Sequence, residues 1–148
     1  MKYFFIFLTM CSLTTYPQSH EEAAKVPINQ FFEGMRTSDS NMIKASLAPN
    51  AILQTITKNK EGKTVVRSED VARFITGVTQ PHDEVYDERI TFNTIKIDGD
   101  LATVWTPYQF YVGTKFSHCG VNSFQLVKLD GAWKIQYIID TRRKEGCL

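Results

Sequence analysis

The chain has 148 residues, of which 43% are hydrophobic and 12% aromatic, and seventeen Lys and Arg stand against sixteen Asp and Glu for a formal net charge of +1. This composition is enough to build the core of one domain, which argues against an intrinsically disordered protein. Charges of both signs are spread along the chain without a basic block, which argues against a nucleic-acid-binding protein.

The first residues have the pattern of an export signal. A positively charged start is followed by the apolar run YFFIFLTMCSL, which has signal-peptide length and is too short to span a bilayer comfortably. We therefore expect residues 1–19 to be a signal peptide and residues 20–148 to be the mature domain. A buried N-terminal helix or strand is the alternative. The expected location is the periplasm or the cell exterior, with no stable membrane span after cleavage.

Three cysteines bear on this interpretation. Cys11 resembles the modified residue of a lipoprotein signal, but Met10 stands where a small residue is normally found, so lipidation is the less favoured outcome. If the leader is removed, Cys119 and Cys147 remain, and such a pair in an oxidising compartment fits a disulfide. Two separate thiols fit equally well. The three His are scattered without clustered ligands, so we expect no metal, and no motif indicates a cofactor.

Helical periodicity in the first half of the chain predicts two helices. Ile28, Phe31, Phe32 and Met35 lie on one stripe of the segment Glu21–Arg36, where Pro27 is acceptable if it lies in the first turn. The cluster Ser38-Asp39-Ser40 is typical of a helix start, and the second helix should end before Pro49.

Strands and a third helix are expected next. Residues 51–57 are rich in β-forming side chains, and residues 63–67 form a brief strand or an extended arm. Ser68-Glu69-Asp70 then indicates a helix start, because acidic residues are favoured near the positive end of the helix dipole. This helix should end near residues 77–80.

From Tyr86 onward the apolar pattern has a period of two, which predicts strands. Residues 86–97 are expected to form one long strand whose apolar phase shifts, and a bulge near Asn93 would reconcile its two halves. The turn Asp98-Gly99 leads into a returning strand over residues 101–112. Helices that are segregated from strands in this way indicate an α+β domain with the helices on one face of a curved antiparallel sheet.

The order of elements and several motifs resemble the nuclear transport factor 2-like superfamily, which includes SnoaL-like, ketosteroid isomerase-like and lumazine-binding-like proteins. The resemblance covers about Glu21 to Thr141. It rests on the segments FFEGMRTSDSNMIKASLAPNA, the Ser68-Glu69-Asp70 helix start, IKIDGDLA, and FQLVK ahead of GAWKI. It implies a cystatin-like fold, in which a cone-shaped sheet packs against about three N-terminal helices. It implies no particular activity, because the superfamily hosts enzymes, binding proteins and delivery domains on one scaffold.

The turn Asp130-Gly131 has the strongest hairpin signal in the chain. A two-residue turn there would pair residues at equal distances on either side of it. Because alternate residues of a strand share a face, these pairs define the side that faces the helices. The predicted pairs are Leu129 with Ala132, Leu126 with Ile135, Phe124 with Tyr137, Asn122 with Ile139, and His118 with Arg143.

A few polar side chains fall in line with the apolar residues of this concave face, as is typical of ligand cavities. His118 is the candidate general base, because His titrates near neutral pH, although it could also merely pack or cap a frayed strand end. Arg143 could bind a ligand carboxylate or phosphate, or belong to a solvated charged end. The predicted ligand-binding residues are Tyr108, His118, Asn122, Phe124, Tyr137 and Arg143.

The opposite, convex face has its own candidates. Asp140 and Arg142 are predicted to point outward, where they could form a salt bridge or flank a dimer contact. Trp105, Gln109 and Tyr111 recur at strand spacing as exposed side chains. Proteins of similar fold usually dimerise through this surface, and aromatic residues are enriched at interfaces, so a homodimer is expected.

Three functions are compatible with these observations. The first, which we favour, is an exported domain that binds a small, largely apolar ligand in the cone cavity. The second is an isomerase, dehydratase or hydrolase that uses His118 as general base. Similar enzymes place a carboxylate in the cone beside a Tyr, and the predicted faces supply none here, which weakens the second function. The third is a dimeric interaction module.

Overall fold

The computed structural model describes residues 19–147, so the predicted leader, apart from Ser19, and Cys11 lie outside the described residues. The helices of this part are α1 (His20–Arg36), α2 (Ser40–Ser46) and α3 (Val71–Thr79). The strands are β1 (Leu47–Lys58), β2 (Thr64–Glu69), β3 (Tyr86–Ile90), β4 (Thr94–Asp98), β5 (Leu101–Val112), β6 (Lys115–Leu129) and β7 (Ala132–Thr141). None of the helices within residues 19–147 is long and apolar enough to cross a membrane.

Each helix begins at a side-chain cap. Ser19 accepts from the backbone N–H of Glu22, and Asp39 caps α2 in the same manner. The third cap is Asp70, whereas the two residues before it still belong to β2. Pro27 does not lie in the first turn, where a proline is readily accepted; it lies buried in the interior of α1. The backbone hydrogen bond that Pro27 removes is offset by burial of the apolar stripe beside it.

The strands form one open, curved sheet in the order β2-β1-β7-β6-β5-β3, and β4 also pairs with β5. All neighbours are antiparallel except β1 and β7, which pair in parallel. The inner face of the sheet packs on α1, where Phe32 meets the fully buried Phe124 edge to face at 6.1 Å. The α+β, cystatin-like fold predicted from the sequence is therefore confirmed.

The predicted long strand over residues 86–97 is interrupted, and it does contain the expected irregularity. Ile90 pairs with Tyr108 and Thr94 pairs with Trp105, so one extra residue is accommodated between β3 and β4. Asn93 still donates its backbone N–H to Trp105 at 3.1 Å. Such an extra residue bends the strand locally.

The predicted pairing of β6 with β7 is right near the turn and wrong beyond it. Leu126 pairs with Ile135, but Gln125 then pairs with Tyr137, so Gln136 is an extra residue in β7. At the same level β1 is irregular too, around Asn50, whose backbone has a φ of 58°. The side-chain amide of Gln136 donates to the Asn50 carbonyl at 3.3 Å. The two distortions therefore accommodate each other across the parallel pair.

Because of the extra residue, the part of β7 after Gln136 turns the opposite face to the cavity from the one that regular pairing predicts. Ile138 now pairs with Phe124 and Asp140 pairs with Asn122. Asp140 is 8% exposed and lies on the concave side, as does Ile138. The predictions that Tyr137 would face inward and Asp140 outward are therefore wrong.

Candidate functional site

A cavity of about 390 Å³ lies between the helices and the concave face of the sheet. Its walls are mostly apolar, and Phe31 stacks on Phe74 at 5.6 Å along one side. Polar side chains from β3, β6 and β7 converge on the same space. The polar lining residues on these strands and immediately after β7 are Tyr86, Glu88, His118, Asn122, Asp140 and Arg142. An apolar cavity with a few convergent polar groups is the usual form of a small-molecule site.

Asp140 is the centre of one hydrogen-bonded group. Its Oδ2 accepts from Arg142 Nε at 2.9 Å and from the Tyr108 hydroxyl at 3.2 Å. Arg142 Nη2 also donates to Thr55 Oγ1 at 3.3 Å. The Tyr108 hydroxyl lies 2.9 Å from the Thr141 carbonyl as well, and burial, followed by the charge of Glu88, raises the Tyr108 pKa. Tyr108 therefore acts as a neutral hydrogen-bond donor.

Glu88 is the centre of a second group and was not among the predicted site residues. Its Oε1 accepts from Asn122 Nδ2 at 2.8 Å. Burial of the carboxyl group, aided by the charge of Asp140, raises the pKa of Glu88 to about 7, against the opposing hydrogen bond from Asn122. The sequence held a signal for it, because Glu88 stands on the apolar phase of β3 between Tyr86 and Ile90.

His118 lines the cavity beside these groups. Its Nδ1 lies 3.1 Å from Ser117 Oγ, and its ring contacts Tyr108 and Phe110 at centroid distances of 5.7 and 5.0 Å. Burial, followed by the positive charge of Arg142, lowers the pKa of His118. The imidazole is consequently neutral at physiological pH, and it faces a site that does contain carboxylates.

Of the other predicted ligand-binding residues, some lie at the cavity and others do not. Asn122 lines the cavity and Tyr108 reaches its polar end through Asp140. Phe124 is fully buried in the core beneath α1. The placement of two further residues in the cavity is wrong because of the bulge at Gln136. Tyr137 lies on the other face and donates to Gln54 at 2.6 Å, and Arg143 pairs with the backbone of Cys119 instead of with His118.

Close contact of two backbones supports the polar end of the cavity. A Cβ atom at Gly120 would lie 1.8 Å from the Thr141 carbonyl oxygen and 2.8 Å from Tyr108 Cε1. Only glycine leaves room for that carbonyl to accept from the Tyr108 hydroxyl. One residue earlier, Cys119 forms a disulfide with Cys147 over a Cα–Cα distance of 5.8 Å. The chain after β7 is thus fixed to β6 beside the site.

The outer face of the sheet carries the predicted aromatic residues. Trp105 is 45% exposed. Tyr111 donates its hydroxyl to Gln109 at 2.9 Å, and the Arg89 guanidinium lies 4.2 Å from the centroid of the Tyr111 ring. Leu101, at the start of β5, is also exposed. This face therefore combines apolar and polar groups.

Comparisons with known proteins agree with this architecture. A family model described as "Putative lumazine-binding" matches residues 19–137, whereas a search of curated proteins found no match. An NTF2-like protein of unknown function from Shewanella baltica OS155 is 13% identical with a TM-score of 0.64, covering 87% of this chain and 100% of that one. A "putative dehydratase from the NTF2-like family" of Streptomyces avermitilis is 14% identical with a TM-score of 0.64, covering 82% and 94%. A Nostoc punctiforme protein with a cystatin-like fold is 12% identical with a TM-score of 0.63, covering 86% of this chain and 95% of that one.

Proposed function

The chain belongs to the family described as "Putative lumazine-binding", within the nuclear transport factor 2-like superfamily, and from this premise we propose that it is an exported domain that binds a small molecule in the cone cavity. The observation that carries the proposal is the cavity of about 390 Å³ with apolar walls and one polar end. That volume suits a ligand of modest size. The apolar part of the ligand would lie against Phe31 and Phe74, and its polar part would meet Glu88, Asn122 and Asp140.

Native mass spectrometry of the exported protein tests this function. We expect a bound small molecule. The fraction of protein that carries it should fall at least about tenfold in the variant Val78→Trp, because an indole at this position of α3 projects into the cavity that Val78 lines. Val65→Trp is the matched control. Val65 is exposed on β2 and does not line the cavity, so that variant should keep the ligand. Equal loss in both variants would contradict a site in the cone.

Export is part of the same proposal. It is supported by the signal-like pattern of the first residues and by the disulfide between Cys119 and Cys147, since such bonds persist in oxidising compartments. Fractionation of expressing cells, followed by N-terminal sequencing of the purified protein, tests it. A cytosolic protein that begins at Met1 would contradict export.

An acid–base enzyme is the second candidate. The observation that favours it is the carboxyl group of Glu88, whose pKa of about 7 is suited to proton transfer, in the same cavity as the neutral imidazole of His118. His118 would be the base in our sequence-based hypothesis, and the structure adds Glu88 as an alternative. Nuclear magnetic resonance of the extracted ligand before and after incubation with protein separates the two functions. An unchanged ligand supports a binding domain.

We also propose that the protein is a homodimer through the outer face that carries Trp105, Gln109 and Tyr111. The exposure of Trp105 in the single chain supports this, because aromatic residues that become buried at an interface contribute much of its binding energy. Trp105→Gln is expected to weaken the dimer at least about tenfold in sedimentation equilibrium. Leu129→Gln, an equally exposed apolar position at the tip of the β6–β7 hairpin, is the control and should not change the dissociation constant. A monomeric wild type would contradict the proposal.

A further inference from the structure

The charges around the cavity fall into compensated and uncompensated groups. The carboxylate of Asp140 is held by Arg142 and by the Tyr108 hydroxyl. The guanidinium of Arg142 is in turn occupied by Asp140 and Thr55. This pair therefore brings no net charge to a ligand. On β2, Arg67 and Glu69 line the cavity with opposite signs.

Glu88, at the polar end of the cavity, has no ion-pair partner within residues 19–147. Within residues 19–147 its one hydrogen bond to a side chain comes from Asn122, a neutral amide. The Tyr108 hydroxyl reaches the same polar end through its hydrogen bond to Asp140, and Asp140 and Arg142 are paired with each other. The ionisable groups that line the cavity with Glu88 are Arg67, Glu69, Tyr86, His118, Asp140 and Arg142.

Among the described residues, the groove on the other side of Glu88 supplies no unpaired cation either. It lies between α1 and β3, and its charged groups are themselves paired. Glu33 binds Arg36 at 2.6 Å, and Asp87 binds Arg89 at 2.8 Å. An ionised carboxylate that is largely withdrawn from water and has no cation is costly, so the site gains most from a partner that a ligand brings.

We propose that the ligand of this cavity carries an amine, or another cationic nitrogen, as its head group, and that this group binds the carboxylate of Glu88. The inference rests on the proposed binding function and adds the chemical class of the ligand. The ammonium donates to Glu88, while the apolar body lies against the stacked rings of Phe31 and Phe74. A ligand carboxylate or phosphate is disfavoured at this polar end, because it would face Glu88 and Asp140 while Arg142 is already engaged, and Arg67 lies apart from them on β2.

Three probes with one apolar body test the head group. Octylamine, 1-octanol and octanoate are titrated separately into the full mature chain by isothermal calorimetry at about pH 8. Octylamine is expected to bind at least about tenfold more tightly than 1-octanol, as is typical of a charge-assisted hydrogen bond, and octanoate should bind most weakly. Between about pH 8 and pH 6 octylamine should lose about tenfold in affinity as Glu88 takes up its proton. The affinity of 1-octanol should stay nearly constant.

Variants assign the preference to one carboxylate. Glu88→Gln keeps the shape of the side chain, and octylamine should then bind no more tightly than 1-octanol. Glu61→Gln removes an exposed carboxylate from the β1–β2 loop and should leave the preference intact. If wild-type protein binds 1-octanol or octanoate as tightly as octylamine, the amine inference is overturned while ligand binding stands. If none of the three binds and native protein is also empty, both the inference and the proposed function fail.

Discussion

Replacing Cys119 and Cys147 together with Ser is expected to lower the free energy of unfolding by about 3–4 kcal/mol. The bond closes a loop between residues 28 positions apart, so the cross-link removes many conformations from the unfolded chain. It also holds the segment after β7 against β6, where Arg143 and Cys119 exchange two backbone hydrogen bonds of 2.9 Å. Urea unfolding followed by tryptophan fluorescence measures the difference.

Chemical reduction supplies the control for this result. A reductant should destabilise the wild type by about the same amount and leave the double variant unchanged. Because both cysteines of residues 20–148 are replaced, that part of the chain has no free thiol left to cause aggregation. A loss below about 1 kcal/mol would show that the bond hardly restricts the unfolded chain, and the chain-entropy account would then be wrong for this protein.

Glu88→Gln is expected to stabilise the protein by about 2–4 kcal/mol at about pH 8 and to have little effect near pH 4. The folded-state pKa of Glu88 is raised to about 7, above its ordinary value near 4.5, so the folded state binds this proton more tightly than the unfolded state does. The wild type is therefore fully stable, as far as this group is concerned, below about pH 4.5. It loses stability as the pH rises to about 7. Glutamine has no such proton and keeps its stability.

Denaturation of both proteins at a series of pH values measures this difference. The two stability curves should coincide at acidic pH and diverge by about 1.4 kcal/mol for each pH unit between the two pKa values. Glu61→Gln, at an exposed position, should follow the wild type throughout. Parallel curves for Glu88→Gln and the wild type would mean that Glu88 is ionised at little cost, and the charge argument for an amine ligand would lose its support.

Much of the fold could be predicted because its signals are local. Helical and strand periodicities are properties of neighbouring residues, and they gave β5 its correct limits of Leu101 and Val112. Asp130-Gly131 likewise specified the hairpin turn without reference to the rest of the chain, and Asp130 does adopt a positive φ of 49°. The three helices were found through their apolar stripes and caps.

The site was harder to predict, because it depends on contacts between distant residues. The extra residue Gln136 is accommodated by a distortion at Asn50, which lies 86 positions earlier in the chain, and no local pattern marks either one. Compared with regular pairing, that bulge places Tyr137 on the outer face and Asp140 on the concave face. Glu88 stood on the apolar phase of its strand, but its partner Asn122 lies 34 positions away, so the pattern alone could not assign it a role.

The bulge in β7 means that strand pairing, as well as residue identity, determines the chemistry of this cavity. If the same sequence paired regularly, Gln136 would lie opposite Gln125, and the strand would present Tyr137 and Ile139 to the ligand and turn Asp140 and Arg142 to the solvent. In a relative that lacks Gln136, by contrast, Tyr137 would still pair with Gln125, so Ile138 and Asp140 would face the ligand as they do here. The bulge therefore keeps the cavity lining constant when the length of the strand changes by one residue, so that such an insertion leaves the specificity of the site intact.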